Sequence, residues 1–246
     1  MRLFVFILAA FAVARAEAET LTVAVASNFS WPAQELVARF TEVSGYEARV
    51  AAASTGKLYA QIVNGAPFDV LLAADAHRPA LLEETGAGMP GTRFTYAIGR
   101  LVLWSADPAL ADANCRDQLD NLETMRLAIA NPLTAPYGVA AMQFLTRADV
   151  WDEAQDNLVY GENIAQTLQF VASGNASLGV IAASQVLHES LPAASCDWVV
   201  PATMHEPIEQ QAIQLSNNEA ARAFLEFVRG PQGKRIIRGL GYEVPD

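Results

Sequence analysis

Short apolar runs alternate with amphipathic stretches along most of the chain, and each run has about the length of a β-strand. The first run, LTVAVAS, occupies residues 21–27 and precedes a segment with helical spacing of apolar residues that ends at Gly45. The runs YEARVAAA (46–53) and FDVLLAA (68–74) are each followed by another helical segment. This order predicts an α/β protein whose parallel or mixed sheets are covered on both faces by helices.

The N-terminal segment has the pattern of a secretory signal peptide. Residues 1–18 contain the basic Arg2, an apolar run that ends at Val13, and small residues before a cleavage site near Ala18. The apolar run is too short to cross a bilayer. We therefore expect an exported protein of the periplasm whose mature chain begins near Glu19.

Charge and composition exclude several classes of function. The formal net charge of −11 disfavours nucleic acids and anionic membrane surfaces, which are bound through Lys and Arg. The three histidines stand far apart and only two cysteines occur, so no free-cation site and no metal cofactor are expected. A secreted hydrolase is a remote alternative, because the chain has no G-x-S-x-G motif.

The two cysteines, Cys115 and Cys196, leave two possibilities open. In an oxidising compartment they can form a disulfide. Two separate thiols are equally compatible with the sequence, because a bridge depends on a geometry that sequence spacing does not supply.

The stretch AAASTGKL (51–58) resembles part of a phosphate-binding loop. A nucleotide P-loop has the form G-x-x-x-x-G-K-[ST]. Here Ala51 replaces the first glycine, and Leu58 replaces the hydroxyl residue that holds magnesium. A nucleotide site is therefore excluded, and two hydroxyl residues at the start of a helix remain.

Four predicted strand-to-helix junctions share this character. They are VAVASNFSWP (23–32), AAASTGKL (51–58), AIANPLTAPYG (128–138) and GENIAQ (161–166), called here the first to fourth junctions. Ser and Asn are also preferred helix caps, and capping alone would explain the first junction. However, a helix start carries unpaired N–H groups and a partial positive charge. If the four junctions converge, their hydroxyls, amides and N–H groups can bind an anion without arginine.

The chain resembles the molybdate-binding proteins of ABC importers, which are type II periplasmic binding proteins. The resemblance covers the mature chain and is carried by six motifs: VAVASNF, STGKLYAQIVNGAPFDVLLAAD, FTYAIGRLVLWS, ANPLTAPYG, GENIAQTLQFVASGNASLGVI and FLEFVRGPQGKRIIRGLGYEVP. It implies a two-lobed α/β fold, in which each lobe is a mixed sheet flanked by helices and the ligand lies in the cleft between the lobes. Lobe I is expected to hold residues 19–100 and 205–246, and lobe II residues 101–204.

The resemblance also implies a set of site residues. Carried over position by position, they are Ser27, Asn28, Ser54 or Thr55, Tyr137, and Ile164 through its backbone N–H. Thr55 stands where one branch of the family has a serine ligand, so it is favoured over the neighbouring Ser54. The same branch takes its tyrosine from the position of Tyr137.

The implied function is capture, not catalysis. The resemblance implies a monomeric binding protein, without a cofactor, that takes up the oxyanion molybdate, and tungstate as well, and delivers it to an ABC permease. Nucleic acid is not an expected partner. A site for sulfate, another oxyanion or a small carboxylate is the open alternative, and the sequence does not rank molybdate against tungstate.

Overall fold

The computed structural model describes residues 20–111, 113–188 and 190–245. The predicted signal peptide lies outside the described residues. The strands are β1 Leu21–Ala26, β2 Ala48–Ala53, β3 Val70–Leu72, β4 Phe94–Gly99, β5 Leu101–Ser105, β6 Leu127–Ala130, β7 Leu158–Gly161, β8 Leu178–Ala182, β9 Cys196–Val199 and β10 Ile208–Gln214. The helices are α1 Ser30–Ser44, α2 Thr55–Val63, α3 His77–Glu84, α4 Pro136–Arg147, α5 Trp151–Ala154, α6 Ile164–Ala172, α7 Glu219–Arg229 and α8 Pro231–Gly239.

The strands form two five-stranded mixed sheets with related topologies. The first has the order β2-β1-β3-β10-β4, with β1 parallel to β2 and β3 and with β10 antiparallel to β3 and β4. The second has the order β7-β6-β8-β5-β9, with β6 parallel to β7 and β8 and with β5 antiparallel to β8 and β9. The predicted two-lobed α/β fold with mixed sheets is thereby confirmed.

Helices cover both faces of each sheet, and the side-chain alternation of the strands shows why. In β1, Val23 and Val25 pack with α1, α7 and α8, whereas Ala24 packs with α2 and α3. In β5, Leu103 and Val102 likewise belong to different cores. Because successive side chains point to opposite faces, a strand that is apolar throughout needs a cover on both.

The first sheet draws its strands from residues 21–99 and 208–214, and the second from residues 101–199. We call the corresponding parts of the chain lobe I and lobe II. The chain passes between them at Arg100 and again after β9. The limits given above, 19–100 with 205–246 and 101–204, stay a prediction.

Cys115 and Cys196 form a disulfide, which resolves the alternative that the sequence left open. The bridge ties the short 3-10 helix Cys115–Asn121 to β9, the edge strand of the second sheet. No helix among the described residues combines the length and apolar character that a membrane span needs.

Candidate functional site

Strand register places the first and second junctions side by side. β1 and β2 are parallel, and their last paired residues are Ala26 and Ala53. Ser27 and Ser54 therefore follow at the carboxyl ends of two neighbouring strands. Ser27 begins a 3-10 turn that leads into α1, and Ser54 immediately precedes α2. Open α/β sheets bind ligands at this edge.

The third and fourth junctions are paired in the same way in the other lobe. Ala130 of β6 is in register with Gly161 of β7, and the Asn131 N–H donates to the Gly161 carbonyl over 2.8 Å. From these strand ends the chain enters α4, whose second residue is Tyr137, and α6, whose first residue is Ile164.

Contacts across the lobes bring the two pairs of junctions together. The Gly56 N–H of lobe I donates to the Thr134 carbonyl of lobe II over 2.9 Å. Lys57 Nζ lies 2.7 Å from Glu162 Oε2. A Cβ on residue 56 would lie 2.8 Å from the Thr134 oxygen, so glycine is required for this approach. The second junction thus touches both the third and the fourth.

The first junction also meets lobe II. Ser27 and Asn28 line one cleft together with Ala165 and Leu168 of α6. Tyr137 and Ile164 share a core cluster with Ala26 and Ala74 of lobe I, so all six predicted site residues lie where the lobes meet. Five of these six residues are buried, with at most 4% of their surface exposed: Asn28, Ser54, Thr55, Tyr137 and Ile164.

Two hydroxyls at this interface have no partner. Within the described parts of the chain, Ser27 Oγ and Ser54 Oγ are the buried side-chain oxygen or nitrogen atoms that make no hydrogen bond. Ser54 holds the N-cap position of α2 but makes no side-chain cap bond, and the N-cap of α1 is Phe29. Capping therefore does not explain either serine. Leaving a hydroxyl buried and unpaired costs about 1–3 kcal/mol, so buried hydroxyls without a partner are uncommon in folded proteins.

Thr55 differs from Ser54 in its bonding. Thr55 Oγ1 accepts a hydrogen bond from the Ala74 N–H over 3.0 Å and is completely buried. The hydroxyl oxygen is thereby held in place, and its own proton stays available to a ligand. Both Ser54 and Thr55 can donate a hydrogen bond to a ligand, but only the Thr55 hydroxyl is also bonded to the protein backbone.

Asn28 is held by residues that the sequence did not indicate. Its Nδ2 donates to Gln210 Oε1 over 2.7 Å and to the Tyr242 hydroxyl over 3.0 Å. Gln210 Nε2 in turn donates to the Tyr137 hydroxyl over 3.4 Å. Gln210 and Tyr242 lie far from Asn28 in sequence, and no pattern along the chain links them to Asn28, so only the folded chain reveals these contacts.

The tyrosines of this region are neutral donors. Burial raises the pKa of the Tyr137 hydroxyl well above its ordinary value, and the neighbouring hydroxyls of Tyr242 and Tyr96 raise it further. Burial also raises the pKa of Tyr242 to about 12, although hydrogen bonds with Ser184 and Asn28 act in the other direction. Tyr137 therefore keeps its proton at neutral pH and can donate it to an anion.

At the fourth junction, the cap of α6 leaves one N–H for another acceptor. Asn163 Oδ1 accepts from the N–H groups of Ala165 and Gln166, and the Asn163 carbonyl accepts from Thr167. Asn163 is therefore the N-cap of α6. The N–H of Ile164 is the first-turn donor that this cap does not use.

Charged side chains near the junctions are paired with one another. Glu162 is bonded to Lys57, and Asp75 to Arg78 at 2.5 Å. In the described residues, no group of three or more His, Cys, Asp or Glu side chains could hold a metal ion. An anion bound here would therefore meet three kinds of hydrogen-bond donor near the helix starts: hydroxyls, a phenol and backbone N–H groups.

Comparison with known proteins identifies the family of this chain. The family model described as "Bacterial extracellular solute-binding protein" matches residues 21–243. The chain belongs to this family. Family members bind solutes, so the expectation of a binding protein and not an enzyme is confirmed.

Two similar relatives are named molybdate-binding proteins. ModA of Azotobacter vinelandii is 42% identical over 233 residues, covering 92% of this chain and 91% of the relative. ModA of Rhodobacter capsulatus is 42% identical over 230 residues, covering 92% and 89%. The solved structure of the A. vinelandii periplasmic molybdate-binding protein superposes with a TM-score of 0.84 at 40% identity, covering 92% of this chain and all of that one. The resemblance inferred from the sequence is confirmed.

Proposed function

We propose that this chain is a periplasmic binding protein that captures molybdate between its lobes and delivers it to an ABC permease. The observation that carries the proposal is the pair of unpartnered buried hydroxyls, Ser27 Oγ and Ser54 Oγ, at two adjoining helix starts. An oxyanion placed between them would supply the acceptors that both hydroxyls lack. The names of the two relatives that are 42% identical support molybdate as that oxyanion.

The ligand set that we propose contains no charged side chain. Ser27, Ser54, Thr55 and Tyr137 would donate through hydroxyls, and Ile164 through its backbone N–H. Asn28 belongs to the set as the residue beside Ser27 that Gln210 and Tyr242 hold in place. Both Ser54 and Thr55 belong to the proposed ligand set. The Ser54 hydroxyl has no partner in the protein, and the Thr55 hydroxyl accepts from the Ala74 N–H and keeps its own proton for a ligand.

Neutral donors suit a fully ionised dianion. Molybdate, tungstate and sulfate are tetrahedral dianions that accept hydrogen bonds at every oxygen. Phosphate keeps a proton near neutral pH and requires an acceptor, but Asp75 and Glu162 already accept from Arg78 and Lys57. We therefore expect tungstate to bind with molybdate and phosphate to be rejected. Sulfate, which is smaller, would be discriminated by the size of the closed cavity.

Isothermal titration of the anion-free protein tests this function. We expect heat from molybdate and tungstate and little from sulfate or phosphate. The Tyr137→Phe variant should bind molybdate more weakly by about 1–3 kcal/mol, because it leaves one anion oxygen without its donor. Ser44→Ala, at the exposed end of α1, is the matched control and should bind as the unaltered protein does. Heat from sulfate alone would contradict the proposal.

Two further expectations concern the cell. Residues 1–18 would direct export and be removed near Ala18, so the mature monomer would work in the periplasm. Mass spectrometry of the exported protein checks the cleavage point, and a mature N-terminus before residue 10 or retention of the whole segment would contradict it.

A further inference from the structure

The C-terminal segment, residues 240–244, runs along lobe I beside the first junction. The Ile98 N–H donates to the Glu243 carbonyl over 2.8 Å, which adds the segment to the edge of β4. The Tyr242 ring packs edge-to-face on Phe29, with ring centroids 5.1 Å apart. Tyr242 is 5% exposed. The segment is therefore fixed on lobe I, and its tyrosine points into the region between the lobes.

The Tyr242 hydroxyl uses its full hydrogen-bonding capacity. It donates to the Asn28 carbonyl over 2.9 Å and accepts from Asn28 Nδ2 over 3.0 Å and from Ser184 Oγ over 2.8 Å. A hydroxyl has one proton and two lone pairs, so these three bonds saturate it. Two of the bonds hold the backbone and the side chain of one proposed site residue.

The third bond crosses between the lobes. Ser184 lies in the 3-10 turn Ala183–Leu187, which directly follows β8 of the second sheet. Gly241 comes close to the same turn, since a Cβ there would lie 2.6 Å from Leu187 Cδ1. Its φ of +86° also favours glycine. The backbone beside Tyr242 is thus shaped to approach lobe II closely.

We propose that Tyr242 is a positioning residue that couples the orientation of Asn28 in the anion site to contact between the two lobes. The inference rests on the proposed function, because the site it serves is the proposed molybdate site. When the lobes separate, the Ser184–Tyr242 bond is broken and water replaces it. When they meet, the bond re-forms beside Asn28, so closure and the alignment of the first junction favour each other.

The test is a double-variant cycle on molybdate affinity. Tyr242→Phe removes three hydrogen bonds and should raise the Kd for molybdate by about 10- to 100-fold. Ser184→Ala removes only the bond between the lobes and should raise the Kd by a smaller factor. The double variant should be no weaker than Tyr242→Phe alone, because the Ser184 bond is already lost there. Tyr46→Phe, which removes a hydroxyl from a half-buried tyrosine stacked on Phe40, is the matched control.

A purely structural role of Tyr242 gives a different result. In that case Tyr242→Phe lowers the melting temperature but leaves the molybdate Kd unchanged, or its effect on the Kd adds fully to that of Ser184→Ala. Either outcome overturns the proposal.

A second measurement needs no ligand and separates this inference from the proposed function. Nitroxide labels on V43C in α1 and Y160C in β7, both at exposed positions, report the distance between the lobes. In the ligand-free protein, Tyr242→Phe and Ser184→Ala should each shift the distance distribution towards the separated state. If the unaltered protein does not bind molybdate but this shift occurs, the proposed function fails and the coupling stands. An unchanged distribution overturns the coupling.

Discussion

Lys57 Nζ lies 2.7 Å from Glu162 Oε2, and this ion pair spans the cleft between the second and fourth junctions. Both side chains are about half exposed, at 45% and 64%. The lysine that follows Gly56 therefore directs its charge to the rim of the site and to a carboxylate of the other lobe. The contact joins the lobes at the surface, above the buried hydroxyls.

We predict that Lys57→Met changes the molybdate Kd by only a few fold. An exposed ion pair contributes about 0–1 kcal/mol and is screened by salt. Titration of molybdate at low and high potassium chloride should show that the small difference from the unaltered protein shrinks with salt. A loss of two orders of magnitude or more would mean that the ammonium group touches the anion itself.

Replacing either unpartnered serine by alanine should weaken molybdate binding without lowering the stability of the fold. Ser27→Ala and Ser54→Ala remove hydroxyls that have no partner in the protein, so the free energy of unfolding should stay within about 0.5 kcal/mol or rise slightly. Molybdate binding should weaken by about 1–3 kcal/mol for each. Urea unfolding and calorimetric titration of the same samples measure both quantities. Loss of stability with unchanged affinity would contradict the assigned role.

Thr55 should behave differently, because its hydroxyl also serves the fold. Thr55→Val leaves the buried Ala74 N–H without an acceptor, so we expect a loss of about 1–3 kcal/mol in unfolding free energy together with weaker molybdate binding. Thr55→Ser restores the hydroxyl and should recover most of the affinity. If Thr55→Val binds molybdate normally, Ser54 alone is the hydroxyl ligand of the second junction.

Much of the fold was predictable because its signals are local. The apolar runs and helical periodicity gave the mixed α/β sheets, Gly45 ends α1 in the left-handed conformation at φ 76°, and Asn163 caps α6. These features depend on residues a few positions apart. Gln210 and Tyr242 were not predictable, because they reach Asn28 from 182 and 214 residues away. Nothing in the sequence around either residue indicates a contact with Asn28.

From the residues alone the candidate site was predictable only as four separate helix starts, and it was the family resemblance that implied a cleft in which they meet. Their convergence depends on the strand pairs that end at Ala26 with Ala53 and at Ala130 with Gly161, and on contacts between lobes. Spacing along the chain does not encode either kind of pairing. The distinction between Ser54 and Thr55 also lay beyond the sequence, because it rests on the N–H of Ala74, which follows another strand.

The buried tyrosines predict a loss of stability at alkaline pH. Burial raises the pKa of Tyr96, Tyr137 and Tyr242 above the value in the unfolded chain, which is about 10. Between that pH and the folded-state pKa, the unfolded chain releases protons that the folded chain retains. The free energy of unfolding is therefore unaffected by these groups below about pH 10 and falls above it, by up to about 1.4 kcal/mol per pH unit for each tyrosine.

The contribution of Tyr242 to this alkaline loss of stability can be measured by comparing the Tyr242→Phe variant with the unaltered protein. Urea unfolding from about pH 8 to about pH 11.5 should show a shallower alkaline decline for Tyr242→Phe than for the unaltered protein, because one raised pKa is removed. Identical slopes for Tyr242→Phe and the unaltered protein would show that the Tyr242 hydroxyl is not shielded from water in the folded state.

The disulfide should contribute to stability and not to anion affinity. Cys115 and Cys196 are 81 residues apart in sequence, and in the chain-entropy account a loop of that length is worth about 4–5 kcal/mol. The bridge is attached to β9, at the opposite edge of the second sheet from β7 and the fourth junction. The double variant Cys115→Ser with Cys196→Ser should therefore unfold at a much lower urea concentration. Well below its melting temperature it should bind molybdate with an unchanged Kd, and a weakened Kd under those conditions would show that the bridge also positions the cleft.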